Sequence, residues 1–251
     1  MNTLIDLKNV TLDFPVYDDQ SRFFRNKLLN LRKTIGFGKP DVNVDGKKII
    51  RGLDNITLNF THGDRVAIMG LNGSGKTTLL KLIAGVYTPT SGTYNRHGSV
   101  SCMLDLGFGF EEDATGYENI LLSQIMRGSN LDDIDRVAKE AAEFSGLGDF
   151  LNMPLRTYSQ GMKSRIAFSS AIVVSPQILL IDEFFSTGDF KFSEKSKNRI
   201  LETMEESSIL LFASHDIDEL MNLCNKGIFL ENGELKFFGD IKKACDIYQN
   251  T

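Results

Sequence analysis

The chain has 251 residues, of which 41% are hydrophobic and 24% charged, and a net charge of −5. That length suits one α/β domain with a sizeable core and a smaller subdomain, and the acidic balance argues against a general nucleic-acid binder, whose phosphate contacts need a basic surface. No window approaches the roughly 18 uninterrupted apolar residues of a membrane span, no basic-then-apolar leader opens the sequence, and Cys102, Cys224 and Cys245 are too scattered for a disulfide or zinc framework, which suits reduced thiols in a cytoplasm.

Residues 3–14 alternate well enough to form an opening strand, ending at Phe14, which is either a core aromatic or a platform for adenine. Between residues 20 and 39 the composition changes: Arg22, Arg25, Lys27, Arg32, Lys33 and Lys39 occur with no acidic residue, while Phe24, Leu28, Leu31 and Ile35 recur at helical spacing. This reads as a basic amphipathic helix, lying at a membrane or membrane partner or else packed on its own domain. Ile56, Leu58 and Phe60 then alternate as a strand, and His62-Gly63-Asp64 turns the chain; His62 and His97 read as surface residues.

Next comes Val66-Ala67-Ile68-Met69, an apolar run suited to a buried parallel strand, followed by Gly70-Leu71-Asn72-Gly73-Ser74-Gly75-Lys76-Thr77-Thr78. The glycines let the backbone point its N–H groups inward at phosphate oxygens, Lys76 can reach the β- and γ-phosphates, and the Thr77 hydroxyl can ligate Mg2+. An apolar-rich helix follows, adding its positive dipole end to the anion site. The reading is strand, phosphate loop, helix: a nucleoside triphosphate site.

Thr88 to Gly92 reads as a turn and Ser99 to Leu104 as a strand, leading into an acidic, glycine-bearing link over 105–113 and helices at 118–127 and 131–144. Tyr158-Ser159-Gln160-Gly161-Met162 leads into a helix from Lys163 to Val174; Ser159 is either a simple N-cap or part of a second phosphate site. Ile178-Leu179-Leu180-Ile181 delivers Asp182 and Glu183 at a strand end, where an open α/β sheet places its ligand, as magnesium anchor and general base for water. Ser186 to Asp189 forms a turn and 191–206 a charged helix; Ser208 to Ala213 is another buried strand, ending at His215, which can sense a γ-phosphate. A hairpin with an Asn232-Gly233 turn and a short terminal helix complete the chain.

This order of elements resembles the nucleotide-binding subunits of ABC transporters over essentially the whole chain. Gly70 to Thr77 are similar to the family's Walker A motif, Tyr158 to Met162 to its signature motif, Ile178 to Glu183 to Walker B, Ser186 to Asp189 to the D-loop and His215 to the switch histidine. The resemblance implies an α/β fold, a P-loop NTPase of ABC ATPase type in one nucleotide-binding domain over 1–251, with a mixed sheet core, an antiparallel β subdomain and an inserted helical subdomain at 107–175. It implies ATP contacts from Phe14, Gly70, Asn72, Gly73, Ser74, Gly75, Lys76, Thr77 and Thr78, and from Ser159, Gln160, Gly161 and Asp189 across a homodimer. It further implies Mg2+ on Thr77, Asp182 and Asp105, and catalysis by Glu183, His215 and Lys76.

Two departures narrow the family. The signature reads Tyr-Ser-Gln-Gly-Met, and Asp105 stands where most members carry the Q-loop glutamine; both resemble polysaccharide exporters, those of O-antigen above all, with capsule and teichoic-acid exporters as relatives. The basic segment at 20–39 is similar to a helix such exporters place near the membrane entrance. The implied partners are a membrane-spanning permease subunit in a 2+2 transporter and a lipid-linked glycan as cargo, with no nucleic acid, at the cytoplasmic face of the inner membrane. Some O-antigen subunits add a C-terminal carbohydrate-binding domain, which is not expected before Thr251. A soluble, non-transport ABC ATPase is the alternative from another class.

Overall fold

A computed structural model describes residues 4–16, 39–42, 48–103, 107, 109–182 and 194–251. In chain order the strands are β1 (Leu4–Pro15), β2 (Lys39–Val42), β3 (Lys48–Thr61), β4 (Arg65–Met69), β5 (Ser91–His97), β6 (Val100–Met103), β7 (Ile178–Ile181), β8 (Ile209–Ala213), β9 (Lys226–Glu231) and β10 (Glu234–Asp240). The helices are α1 (Lys76–Ala84), α2 (Gly116–Met126), α3 (Ile134–Ser145), α4 (Gln160–Ile172), α5 (Glu194–Glu206), α6 (Ile217–Leu223) and α7 (Ile241–Gln249). The chain divides into two compact units, one made of Met1–Gly98, Leu180–Glu183 and Ser208–Thr251, the other of Ser99–Leu179 and Phe184–Ser207.

The first unit is built on a mixed sheet in the order β5-β1-β3-β10-β9-β4-β8, continued by Leu180 and Ile181. Its centre is parallel: β4 pairs with β8 on one side and β9 on the other. Val66, Ala67, Ile68 and Met69 are fully buried, as are Ile209, Leu210, Leu211 and Ala213, because strands covered on both faces need continuous apolar runs. Its flank is antiparallel, β1 lying between β3 and β5. Along β3 the buried Ile56, Leu58 and Phe60 alternate with the exposed Asn55, Thr57 and Asn59, the period-2 pattern of a half-buried strand. In β1 the alternation slips between Leu7 and Val10, both fully buried although three residues apart. A register shift falls there, with Asn9 at φ 50, and this bulge returns Val10 and Leu12 to the core face.

The second unit packs α2, α3 and α4 around Ile120, Val137, Ala138, Ala141, Leu155, Tyr158 and Ile166. Helix α2 starts with a capping box: the Thr115 hydroxyl accepts from the Glu118 N–H while the Glu118 carboxylate accepts from Thr115. Those bonds also hold the Glu118 carboxyl below its usual range.

Three readings of the sequence change. The expected turn at 88–92 gives way at Ser91 to strand β5, whose alternating exposed side chains carry no core signal because it sits at the sheet edge. Gly92 bulges within it at φ +86, where a Cβ would come 2.3 Å from the Asn9 carbonyl oxygen. The helix expected at 131–144 is a short 3-10 turn, Leu131–Asp133, followed by α3. Helix α4 begins at Gln160 rather than Lys163, since the Ser159 hydroxyl accepts from the Met162 N–H and so draws 160–162 into the first turn. The basic segment at 20–38 lies outside the described residues, and Lys39 opens β2.

Candidate functional site

In the first unit the site grows from the end of β4. The chain leaves the sheet at Gly70, φ +150, where an added Cβ would meet the Leu230 carbonyl oxygen at 2.3 Å. It turns again at Gly73 (φ +83) and Gly75 (φ +108), backbone conformations that L side chains resist. Gly75 caps α1 without any side-chain hydrogen bond, and no acidic residue stands in the first turn. The helix therefore presents a positive dipole end with nothing from its own side chains to neutralise it.

The floor of the loop comes from distant residues. Gly233, in the Asn232-Gly233 hairpin turn, donates its N–H to the Ser74 carbonyl at 2.8 Å, and its own carbonyl accepts from Asp54 N–H at 2.8 Å. Gly52, Gly75 and Gly233 approach so closely that a Cβ on Gly75 or Gly233 would lie 3.0 or 2.9 Å from the Gly52 carbonyl oxygen.

Lys76 is only 7% exposed. Its ammonium donates to the carbonyl oxygens of Gly70 at 2.7 Å and Leu71 at 3.4 Å. Burial lowers its pKa, and Asp182 opposes that shift. Thr77 donates its hydroxyl to the Asp182 carboxylate at 2.6 Å, so the loop and the end of β7 bring two oxygen donors together. A hard cation with near-octahedral demands takes such a hydroxyl and carboxylate and fills its other positions with phosphate oxygens and water. Ser74 Oγ is buried and has no hydrogen-bond partner among the described residues. An orphaned buried hydroxyl costs about 1–3 kcal/mol, and it lies in the loop where an anion would relieve it.

His215 follows β8. The residue as a whole is exposed, and partial desolvation of its ring, with the Lys76 charge, lowers its pKa, Asp182 acting the other way. Both charged groups are thus within electrostatic reach of the imidazole. Its Nδ1 lies 2.8 Å from the Tyr248 hydroxyl on α7. Phe14, at the end of β1, is half-buried and meets Tyr87 edge to face, with ring centroids 5.2 Å apart. A Cβ on Gly52 would come within 2.6 Å of the Phe14 ring and 3.1 Å of the Thr78 side chain, so the aromatic sits beside the start of α1. Asn72 is exposed on the loop, whereas Thr78 is buried.

In the second unit Ser159, Gln160 and Gly161 form the exposed first turn of α4. A Cβ on Gly161 would meet nothing nearer than Ser159 Oγ at 4.0 Å, so this face is open. Beneath it Tyr158 is buried and donates its hydroxyl to the Phe150 carbonyl at 2.6 Å. An added Cβ on Gly116 would collide with that hydroxyl at 2.0 Å. The Tyr that opens this motif is therefore an anchor for α4, and burial raises its pKa.

Lys76, Thr77, Asp182 and His215 are thus gathered in the first unit, with Phe14 close to the loop. Asp105, Glu183 and Asp189 lie outside the described residues. Three supports were not foreseen: Gly52, Tyr87 and Tyr248. Only Tyr87 carries a local signal, an aromatic shortly after the loop helix.

Comparison with known proteins agrees with this arrangement. The family model described as ABC transporter matches residues 53–186. The O-antigen export system ATP-binding protein RfbE of Yersinia enterocolitica is 40% identical over 235 residues, covering 93% of this chain and 96% of that protein. RfbB of Klebsiella pneumoniae, named for the same system, is 32% identical over 100% of this chain and 99% of its own length. The teichoic acids export ATP-binding protein TagH of Staphylococcus epidermidis is 32% identical over 99% of this chain and 89% of its own. Among solved structures, the ATP-binding cassette MJ0796, dimeric in a post-hydrolysis state with ADP and Pi, aligns with TM-score 0.62 at 21% identity over 94% of this chain and 98% of its own. An ATP-binding subunit of an ABC transporter aligns with TM-score 0.66 at 20% identity, over 98% and 93%. Those structural likenesses speak for the fold, a P-loop ABC cassette, and the sequence relatives for the lineage. The chain belongs to the ABC transporter family, as one of its ATPases.

Proposed function

We propose that this ATPase is the motor subunit of an exporter that moves a lipid-linked polysaccharide, an O-antigen chain, across the cytoplasmic membrane. The observation that carries the reading is the 40% identity to an O-antigen export ATP-binding protein along 93% of the chain. Teichoic-acid export is the second reading, favoured by TagH at 32% over 99% of the chain. Among the described residues no helix is long and apolar enough to cross a membrane; in this reading the chain is a peripheral subunit on the cytoplasmic face that works through a separate membrane-spanning permease.

In this reading the loop amides from Gly70 to Thr78 and the Lys76 ammonium hold the phosphates of ATP, and the Phe14 ring supports the adenine. Thr77 and Asp182, with Asp105, would hold Mg2+, which supplies charge neutralisation at the phosphates. Glu183 takes the proton of the attacking water and His215 contacts the γ-phosphate. Ser159, Gln160 and Gly161 of a second copy, with Asp189, complete the site, so closure of a homodimer gates hydrolysis. The buried Lys76 and orphaned Ser74 Oγ support the phosphate assignment from the first unit alone.

The test has two stages. Glu183→Gln should bind ATP and accumulate closed dimer while hydrolysis falls at least about 100-fold; wild-type phosphate release by that variant would remove Glu183 from the base's role. Loss of the intact protein should leave a lipid-linked glycan on the cytoplasmic side, and analysis of that glycan separates O-antigen from teichoic acid.

A further inference from the structure

Tyr248 is the one aromatic of α7, and its place is fixed from several directions. Asp240 caps the helix, its carboxylate accepting from the N–H groups of Lys242 and Lys243. Ile241, Ala244 and Cys245 are buried. The helix lies so close to β9 that a Cβ on Gly227 would come 2.4 Å from that of Ala244. The Tyr248 ring packs 6.1 Å from Phe229 and lies end-on to the imidazole of His215, their planes 28° apart and their centroids 6.4 Å apart. Its hydroxyl ends 2.8 Å from Nδ1.

A neutral imidazole carries its hydrogen on one nitrogen and a lone pair on the other. The nitrogen that meets a phosphate oxygen must be the one with the hydrogen, because two acceptors face to face repel. A hydroxyl can donate to Nδ1 and so leave the hydrogen on Nε2; a phenyl ring at the same place cannot. At metal and triad sites an orienting partner likewise fixes the tautomer, there by accepting from one ring nitrogen; here the direction is reversed, the hydroxyl donating to Nδ1.

We propose that Tyr248 is a positioning residue: its hydroxyl donates to Nδ1 of His215, holds the ring in the Nε2–H tautomer and aims that hydrogen at the γ-phosphate. The inference rests on the reading of His215 as the γ-phosphate contact. It ties the turnover step to the seating of α7, a helix that contributes no group to the phosphate loop.

The chain has three histidines, His62, His97 and His215, so imidazole 15N resonances of the full chain are assignable by substitution. Wild type should show His215 as the Nε2–H tautomer, and Tyr248→Phe should shift it toward a mixture. In the same variant kcat should fall about tenfold, as when other orienting partners are removed, with KM for ATP changed by no more than about twofold. On a His215→Ala background the Tyr248 change should have no further effect on turnover. Wild-type turnover in Tyr248→Phe, or a loss of turnover with the tautomer unchanged, overturns the proposal while leaving the site intact. Wild-type turnover in His215→Ala instead removes the contact on which it rests.

Discussion

The phosphate loop and the first turn of α4 both offer a helix N-terminus, yet they are built in opposite ways. Around the loop, backbone and side chains are committed: Lys76 is buried against two carbonyls, Ser74 Oγ is sealed away from water, and Gly70, Gly73 and Gly75 hold conformations other residues resist. At α4 nothing is committed: Ser159 caps its own helix, Gly161 faces open space, and only the buried Tyr158 beneath is fixed. A buried ammonium must be compensated inside the protein, so the loop carries a standing cost that ligand binding relieves. An exposed cap is satisfied by water and becomes a phosphate site only when another surface excludes that water.

The comparison can be broken most decisively at the loop. Lys76→Ala should lower hydrolysis by about 10²–10³-fold or more, the loss seen when one electrostatic stabiliser is removed from an active site. Phosphate release above one tenth of wild type would show that the loop is not the site.

Gly161→Asp should come next: in the proposed dimer a phosphate oxygen of the partner copy's ATP meets this turn, and a carboxylate there should reduce hydrolysis about 100-fold. Equilibrium ATP binding by the isolated chain should stay within about twofold. The added side chain meets open space in the folded chain, so melting should be little changed. If nucleotide binding by the isolated chain collapses together with hydrolysis, the two regions are not different in kind.

Gly52→Ala tests the edge of the loop. The new methyl would push the Phe14 ring, 2.6 Å away, from its present place. An aromatic contact is worth about 0.5–1.5 kcal/mol, so KM for ATP should rise by about two- to tenfold with kcat nearly unchanged. A fall in kcat at constant KM would place the Phe14 ring in the chemistry rather than in binding.

The smallest effect gauges how dry the first unit is beside Arg65, at the end of β4 away from the loop. Burial pushes the Cys224 thiol from 9.0 up to about 12. Its folded pKa lies above its unfolded one, so its contribution is whole below pH 9, and is lost as pH rises from 9 toward 12 while the unfolded chain alone ionises. Urea midpoints measured at pH 8 and pH 10 should fall further for wild type than for Cys224→Ala. Parallel falls in the two proteins would mean that water reaches this thiol.

What could be read from the sequence follows the same division. The loop, Asp182 and His215 were legible because each follows a continuous apolar run, and a parallel sheet must align the ends of such strands. The hairpin at Asn232-Gly233 was legible because positive φ at both positions, 50 and 83, is what that dipeptide permits. Strand β5 was not, since an edge strand with solvent on its side chains leaves no alternation of polarity. The roles of Gly52, Gly233 and Tyr248 were hidden for another reason: each acts across the fold, on residues far away in the chain, and no local spacing encodes such a meeting. Tyr158 looked like one letter of a phosphate motif, whereas its ring serves the core.

The floor beneath the loop has a consequence for how the protein is made. Ser74 is held by the N–H of Gly233, and Gly233 is held in turn by Asp54. A ribosome delivers the phosphate loop early, and it must wait for the hairpin to emerge before its backbone has anything to rest on. Until then the nascent chain carries every residue of the loop but lacks the Gly233 N–H that its Ser74 carbonyl accepts in the finished fold.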